Sequence, residues 1–264
     1  MRAIAISGIR ASLVAALLIR PALAIAEDKP AYKFHGRLIE VTVTIDGALK
    51  KYPGLHDNLL AEGKRDAAKW NAQAEQDSKK YKDLYRDGHR DEYDRSYSER
   101  SVAGNRYVSI VRGDYVDGHG AHPNHLTDTI LWDTQAKKRI SIRPFFKETA
   151  DNGPTMSALA EAIRAALAAE KKTRDIDVKD PDSDENLAAV KPSLTKIGGV
   201  ALAPSNDAGK SAGLICYFSP YAVGPYVEDD YTVFVAWTEF KDYLSAEGAA
   251  IFGGERPQGD ADKD

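Results

Sequence analysis

The chain has 264 residues, of which 43% are hydrophobic, and a formal net charge of −4. A chain of this length and composition can bury a core of its own, as one large domain or two small ones. The slight excess of acidic residues gives no support to nucleic-acid binding, which normally requires a basic patch.

The first 26 residues have the layout of a secretory signal peptide. An arginine-bearing start is followed by an apolar run from Ala11 to Ile19 and by the small-residue pattern Ala-Ile-Ala at 24–26. Arg10 and Arg20 break this stretch into pieces shorter than the roughly 20 apolar residues of a spanning helix. We therefore predict a signal peptide over 1–26 and a mature protein without a membrane span, in the periplasm or secreted.

Two periodicities define an N-terminal unit, residues 27–116. Apolar and polar residues alternate from Leu38 to Ile45, which is typical of a strand with one buried face. From about Asp57 apolar residues recur every three or four positions. This pattern predicts a long amphipathic helix that ends near 87–88 and carries Trp70 in its apolar stripe. A hairpin turn is predicted at 103–105, followed by a strand from Tyr107 to Tyr115.

The C-terminal unit, residues 117–252, begins with the sequence DGHGAHPNH. Strands are predicted over 127–133, 139–142, 197–203, 214–218 and 231–237, with a second helix from Pro154 or Thr155 to about Lys172. Thr238 is expected to cap a short last helix. The polar residues 253–264 are expected to form a disordered tail.

This order of elements predicts an α+β fold. Helices are few and hairpins are many, which favours mostly antiparallel sheets with one long and one medium helix packed on them. The two halves have a similar order of strands and helices, and we expect two intertwined sub-domains. Cys216 is the single cysteine, so the chain has no internal disulfide, and its apolar neighbours predict a buried core residue instead of a nucleophile.

Three histidines, His119, His122 and His125, follow one another at three-residue intervals. Zinc enzymes often carry two ligands one helical turn apart, because a helix then directs both at one point. Two glycines and Pro123 exclude a helix here, so this spacing fixes no common point for the three imidazoles. A turn between two strands is one interpretation. A metal site of a metal-dependent envelope hydrolase, built from all three histidines, is the other.

No other stretch carries a catalytic motif. The sequence has no G-x-S-x-G turn and no Walker-type glycine loop, and nothing marks a buried pair of carboxylates. We therefore predict no catalytic residue and no cofactor.

Two segments resemble a secreted domain family of ill-defined function. GHGAHPNHLTDTILWDTQAKKRISIRPFF, residues 118–146, is similar to the family's Gly-Gly-Ala-His segment, in which only Gly120, Ala121 and His122 match the turn. YFSPYAVGPYVEDDYTVFVAW, residues 217–237, is similar to its second signature, an aromatic residue, Pro-Tyr, a short loop and a strand. With the domain that usually precedes it, the family occurs in the extracytoplasmic part of lysozyme-sensing anti-sigma factors. It also occurs beside some peptidoglycan deacetylase domains and alone in exported proteins.

The resemblance implies an exported, non-catalytic envelope protein that binds a protein or glycan partner, either lysozyme-like or related to peptidoglycan. Loops rich in Tyr, Asn and Pro make good recognition surfaces. We therefore expect binding through His122, Asn124, Tyr221 and Tyr226. Core packing of the two tyrosines is the alternative.

Overall fold

The computed structural model describes residues 29–86 and 88–260. The predicted signal peptide lies outside the described residues. Within them, no helix is both long enough and apolar enough to cross a membrane.

A six-stranded sheet follows the chain order from one edge to the other. Its neighbouring strands are antiparallel except β2 and β3, which run parallel because a helix, α1 (Leu55–Lys80), connects them. The strands are β1 (Tyr32–His35), β2 (Ile39–Ile45), β3 (Asp91–Ala103), β4 (Tyr107–Asp117), β5 (Asn124–Asp133) and β6 (Lys138–Ile140).

A second, three-stranded sheet is antiparallel throughout, in the order β7 (Gly199–Leu202), β8 (Gly213–Phe218) and β9 (Tyr231–Ala236). Helix α2 (Pro154–Thr173) packs on it, and a short helix, α3 (Ala246–Ile251), lies near the end of the chain. The predicted α+β class is therefore confirmed. The sheets are mostly antiparallel, and the two main helices have 26 and 20 residues.

Helix α1 packs on the apolar face of β2 and forms the first core. The alternation of β2 places Val41 and Val43 in the same buried cluster as Leu59 and Ala67 of the helix. Gly63 allows the helix to approach the strand, since a Cβ at this position would lie 2.9 Å from Cγ1 of Val43.

The end of α1 differs from the prediction. The helix stops at Lys80, well before 87–88, and a 3-10 turn at Lys82–Tyr85 follows. The apolar residues expected to continue the buried stripe, Tyr81 and Leu84, are exposed. Without a buried face, the last predicted turns lack the packing that stabilises a helix in water.

Trp70 also lies in different surroundings from those predicted. Its side chain is half-buried, stacks on the ring of Tyr93, and has the guanidinium carbon of Arg95 at 4.8 Å from its ring centroid. Helical periodicity located this residue on the inner face of α1. It could not show that the facing strand presents a tyrosine and an arginine instead of aliphatic side chains.

The second core lies around α2. Met156, Leu159, Ile163 and Leu167 are fully buried along one face of the helix, in a cluster with residues of β8 and β9. Cys216 of β8 belongs to this cluster, and burial raises the pKa of its thiol to about 12. The thiol is therefore protonated at neutral pH, as expected of a core residue.

The predicted boundary between residues 116 and 117 falls within one hairpin. Strands β4 and β5 pair from Tyr107 opposite Asp133 to Val116 opposite Asn124. Within β5, Ile130 and Trp132 belong to the first core and Leu131 to the second. Because successive strand residues point to opposite faces, one sheet supplies both cores and continues across the expected division.

Thr238 does not cap a helix, contrary to the prediction. It lies in a 3-10 turn at Trp237–Glu239. The last helix begins later, after Ser245, whose Oγ accepts a hydrogen bond from the N–H of Gly248 at 3.1 Å. Ser245 satisfies the capping requirement that the sequence analysis had assigned to Thr238.

The expectation of a disordered tail does not hold for residues 253–260. Asp260 is buried, and its carboxylate accepts two hydrogen bonds from Arg100 of β3, at 2.9 and 2.6 Å, and one from Arg256 at 2.7 Å. A polar composition predicts disorder only where the segment has no partner to bind, and the chain provides one here.

Candidate functional site

The histidine segment forms the tip of the β4–β5 hairpin, so the interpretation as a turn between two strands is confirmed. Residues 118–123 connect the strands, and His125 already belongs to β5. Each of the three histidines contacts a different neighbour.

His119 is turned towards the start of β3. Its Nε2 lies 3.3 Å from Oδ1 of Asp91, and its ring packs edge-on against Tyr85 and His89, with centroids 4.1 and 4.9 Å away. The Tyr85 hydroxyl donates to the other Asp91 oxygen at 2.9 Å, and burial together with this carboxylate raises the pKa of Tyr85. These contacts tie the hairpin tip to β3.

The other two histidines lie apart from this group. His125 packs against Tyr115 with ring centroids 5.2 Å apart, whereas His122 stacks on Tyr226. Across residues 29–86 and 88–260, no group of three or more histidine, cysteine, aspartate or glutamate side chains could hold a metal ion. The hydrolase alternative requires all three imidazoles to converge, and they do not.

Three of the four residues predicted for binding form one cluster, the aromatic corner (His122, Tyr221 and Tyr226). The rings of His122 and Tyr226 stack with centroids 3.8 Å apart and planes 24° apart. The Tyr226 hydroxyl donates to the carbonyl of Pro123 at 2.7 Å, and the Tyr221 hydroxyl lies 3.4 Å from Nε2 of His122. Asn124, the fourth residue, is exposed at the first position of β5.

The corner joins the two sheets. His122 comes from the β4–β5 tip, and both tyrosines come from the β8–β9 loop, residues 219–230. The beginning of that loop is fixed to β5, because Oγ of Ser219 accepts from the N–H of Thr127 at 2.8 Å and lies 3.4 Å from its carbonyl oxygen. The corner is therefore held by both strands that lead into it.

Apolar side chains beside the corner are exposed. Tyr221 is 63% exposed and Val227 is 88% exposed, and Leu126 of β5 is 45% exposed. These three account for most of the exposed large apolar side chains among the described residues. Large exposed apolar side chains on one loop and the neighbouring strand are a feature of interaction surfaces.

A polar cleft of about 470 Å³ lies near the corner, between the six-stranded sheet and the 219–230 loop. Thr42 and Thr44 line it and alternate with the buried Val41 and Val43 of β2. Its other polar lining residues come from β3, β4, β5 and the 219–230 loop. They are Asp94, Arg95, Ser96, Asp114, Tyr115, His125, Thr127, Asp229 and Asp230.

This end of the sheet is acidic. Glu92 and Asp117 are opposite each other in the β3–β4 register, next to Asp94. Burial and the carboxylates of Asp94, Asp117 and Glu40 raise the pKa of Glu92. Several carboxylates therefore lie close together at this end of the sheet.

The residues that sequence analysis missed are Leu126, Val227, Asp229 and Asp230. Asp229 and Asp230 are recognisable in the sequence, because they lie between Tyr226 and Tyr231. The exposure of Leu126 and Val227 has no such local signal, because it depends on which elements pack against them.

Comparison with known proteins identifies the fold. No family model matches the chain, and no curated protein matches it. A crystal structure of a DUF3298 family member from Bacteroides fragilis aligns with a TM-score of 0.53 and 13% identity, over 83% of this chain and 93% of that one. A DUF3298 family protein from Pseudomonas aeruginosa aligns with a TM-score of 0.52 and 15% identity, over 83% of this chain and 90% of that one. The likeness shows a shared fold with proteins described as members of a family of unknown function.

Proposed function

We propose that the protein is an exported, non-catalytic binding protein of the bacterial envelope, whose partner docks on the aromatic corner and the acidic cleft beside it. The observation that carries the proposal is the stack of His122 on Tyr226. It joins a loop of each sheet into one surface with exposed Tyr221 and Val227. Tyrosine-rich, partly apolar surfaces of this kind are typical of recognition sites.

Export is supported by the sequence alone, through the signal-peptide pattern of residues 1–26. The absence of catalysis is supported by the separate contacts of the three histidines. A hydrolase would need a set of groups around one reacting atom, and the corner offers aromatic faces and hydroxyls instead.

The charge of the cleft favours one of the two partner classes. Asp94, Asp229 and Asp230 line it, the Arg95 in its lining is paired with Asp66 and Asp114, and the chain carries a net charge of −4. Complementary charge accelerates association and selects between partners. A basic protein surface, such as that of a lysozyme, therefore fits better than an anionic peptidoglycan fragment.

The experiment measures binding of residues 27–264 to two probes, a basic lysozyme and soluble muropeptides. We expect the lysozyme to bind, more weakly as the salt concentration rises. We expect Tyr221→Ala/Tyr226→Ala to weaken it by at least about tenfold, because central tyrosines often contribute about 2 kcal/mol or more. Tighter binding of the muropeptides than of the lysozyme would contradict a protein partner and support a glycan partner.

The matched control is Tyr81→Ala/Leu84→Ala, which removes two exposed side chains after α1. It should bind as the wild type does. If the corner variant and this control bind with equal affinity, the aromatic corner is not the binding site. If the wild type binds neither probe, both proposed partner classes are wrong.

A further inference from the structure

The 219–230 loop holds a backbone conformation that side chains other than glycine disfavour. Tyr221 has a φ of 70°, and Asp229 has a φ of 64° with a ψ of −159°. L-residues rarely adopt these angles, which persist only where the surroundings fix them. The two residues flank Tyr226, so the shape of the aromatic corner depends on whatever holds the loop at its base.

A buried charged group lies at that base. Lys171, near the end of α2, is only 1% exposed, and its Nζ donates to Oε2 of Glu228 at 2.5 Å. The Tyr231 hydroxyl donates to the same oxygen at 2.7 Å, and the Lys171 ammonium lies 4.6 Å from the centroid of the Tyr231 ring. We name these three side chains the loop anchor (Lys171, Glu228 and Tyr231).

Arg174 holds the backbone on both sides of Asp229, one of the two residues with a positive φ. One guanidinium nitrogen donates to the carbonyl oxygens of Glu228 and Asp230, at 2.8 and 3.0 Å. These carbonyls stand on either side of Asp229, so a single side chain spans the disfavoured backbone. The guanidinium also lies 4.1 Å from the centroid of the Tyr231 ring, which connects it to the anchor.

The loop closes tightly over the anchor. A Cβ at Gly224 would overlap the Glu228 carboxylate and lie 3.0 Å from Nζ of Lys171. Gly224 does not need a positive φ, so close approach is the reason for glycine here. Tyr226 and Glu228 are the first and last residues of one 3-10 turn, so the contacts of the Glu228 carboxylate hold the end of that turn.

We infer that the loop anchor is a positioning device, which sets the 219–230 loop so that Tyr221 and Tyr226 meet His122. A buried ion pair is weak support for overall stability, and apolar replacements of similar volume are often tolerated. An ion pair with shared hydrogen bonds instead holds its side chains in one defined geometry. The importance of that geometry for binding rests on the proposed function, but its effect on the loop can be measured without a partner.

The test is the double variant Lys171→Met/Glu228→Met, which removes the pair without leaving one charge buried alone. We expect chymotrypsin to cleave the native protein within 219–230 about tenfold faster than the wild type, because cleavage follows the population of the open loop. The midpoint of denaturation should stay close to that of the wild type. The proton signals of the His122 imidazole should move, because the ring loses its place on Tyr226.

The control is Arg164→Met/Asp182→Met, which removes another ion pair of α2. Arg164 contacts Asp182 and the carbonyl of Val190, both outside the loop. It should leave loop cleavage and the His122 signals unchanged. Tyr231→Phe is a milder variant that retains both charges and should raise loop cleavage by a smaller factor. It keeps the inference testable if the double variant does not fold.

Unchanged loop cleavage and unchanged His122 signals would overturn the inference, as would cleavage that rises only in step with global unfolding. The proposed function fails by a different result. If the loop loosens as expected while both binding probes still bind equally well, the anchor positions the loop but the corner is not the binding site.

Discussion

Neighbouring histidines of one hairpin tip differ in what surrounds each ring. The side chain of His119 is 12% exposed and lies against Asp91, Tyr85 and His89, whereas His125 is exposed on β5 beside Tyr115. Removal of the His119 ring would take away its packing on Tyr85 and His89 and its ion contact with Asp91, which is not a hydrogen bond. Removal of an exposed ring takes away much less buried contact.

We therefore expect His119→Ala to lower the free energy of unfolding by about 1–3 kcal/mol, and His125→Ala to change it by less than about 0.5 kcal/mol. Denaturant unfolding at pH 7 measures both. Equal losses would mean that the inward position of His119 is wrong. Added zinc should not raise the melting temperature of the wild type, since saturation of a native site at about 100 times Kd would add roughly 2.7 kcal/mol.

Asp133 gives the protein a pH dependence with a defined sign. Its carboxylate accepts hydrogen bonds from Arg106 and from the backbone N–H groups of Gln135 and Ala136. The hydrogen bonds from the Arg106 guanidinium lower the pKa of Asp133 to about 2, because they outweigh the opposite effect of burial. A carboxyl with a depressed folded pKa stabilises the native state above its ordinary pKa, and this contribution is lost as the pH falls through the folded value.

The expected outcome is a stability difference between the wild type and Asp133→Asn of about 2 kcal/mol at pH 7. That difference should begin to shrink below about pH 4 and be largely gone near pH 2. Denaturant unfolding of both proteins across this range measures it. Asp151→Asn, at an exposed position, is the control, and a difference that stayed constant with pH would contradict the assigned pKa.

Among the secondary-structure elements, α1 is fixed to the sheet by charge as well as by its apolar face. Arg95 of β3 is buried and bonds Asp114 of β4 through two nitrogens, at 2.5 and 2.8 Å, and Asp66 of α1 at 2.7 Å. Glu62 of α1 accepts two hydrogen bonds from Arg139, after β5. These directional contacts set the register of the helix on the strands, which apolar packing alone specifies less strictly.

The cap of α3 allows a direct comparison of the predicted residue, Thr238, with the observed one, Ser245. Removal of an N-cap side chain typically costs about 1 kcal/mol. We expect Ser245→Ala to lower the free energy of unfolding by about that amount, because Oγ of Ser245 accepts from the N–H of Gly248. Thr238→Ala, at the exposed position that the sequence favoured, should be nearly neutral. The reverse order in thermal unfolding would show that the helix begins earlier.

For the molecule as a whole, the two cores and the chain end form one connected structure. The six-stranded sheet contributes to both cores, and residues 253–260 return to it through the pairing of Asp260 with Arg100 of β3. Arg100 also donates to the hydroxyl of Tyr217 in β8. The segment is therefore linked to both sheets, and we expect its loss to lower the stability of the whole fold.

We expect Asp260→Ala to lower the free energy of unfolding by about 1–3 kcal/mol, because it removes the carboxylate that accepts two hydrogen bonds from the buried Arg100. The control is Glu255→Ala, an exposed change in the same segment. A single cooperative transition should persist, shifted to lower denaturant for the Asp260 variant only. A tail that contributes nothing would give two indistinguishable curves.

The sequence by itself determined the elements and the class of fold. The alternation of β2, the helical periods of α1 and α2, and the glycines and proline of the histidine tip are consequences of near neighbours in the chain. Their physical causes act locally, through side-chain direction and backbone sterics. The same reasoning correctly located Cys216 in a buried strand. The prediction of His122, Tyr221 and Tyr226 as binding residues came from the composition of their loops, which could not show that they meet.

Tertiary structure alone decided which of these residues touch. His122 and Tyr226 belong to different sheets, and their stack depends on how those sheets pack and on the buried Lys171 beneath the loop. His119 could be assigned to Asp91, and the tail to Arg100, only when distant parts of the chain were placed together. Such contacts depend on burial and on partners far along the chain, and a local pattern carries no record of either.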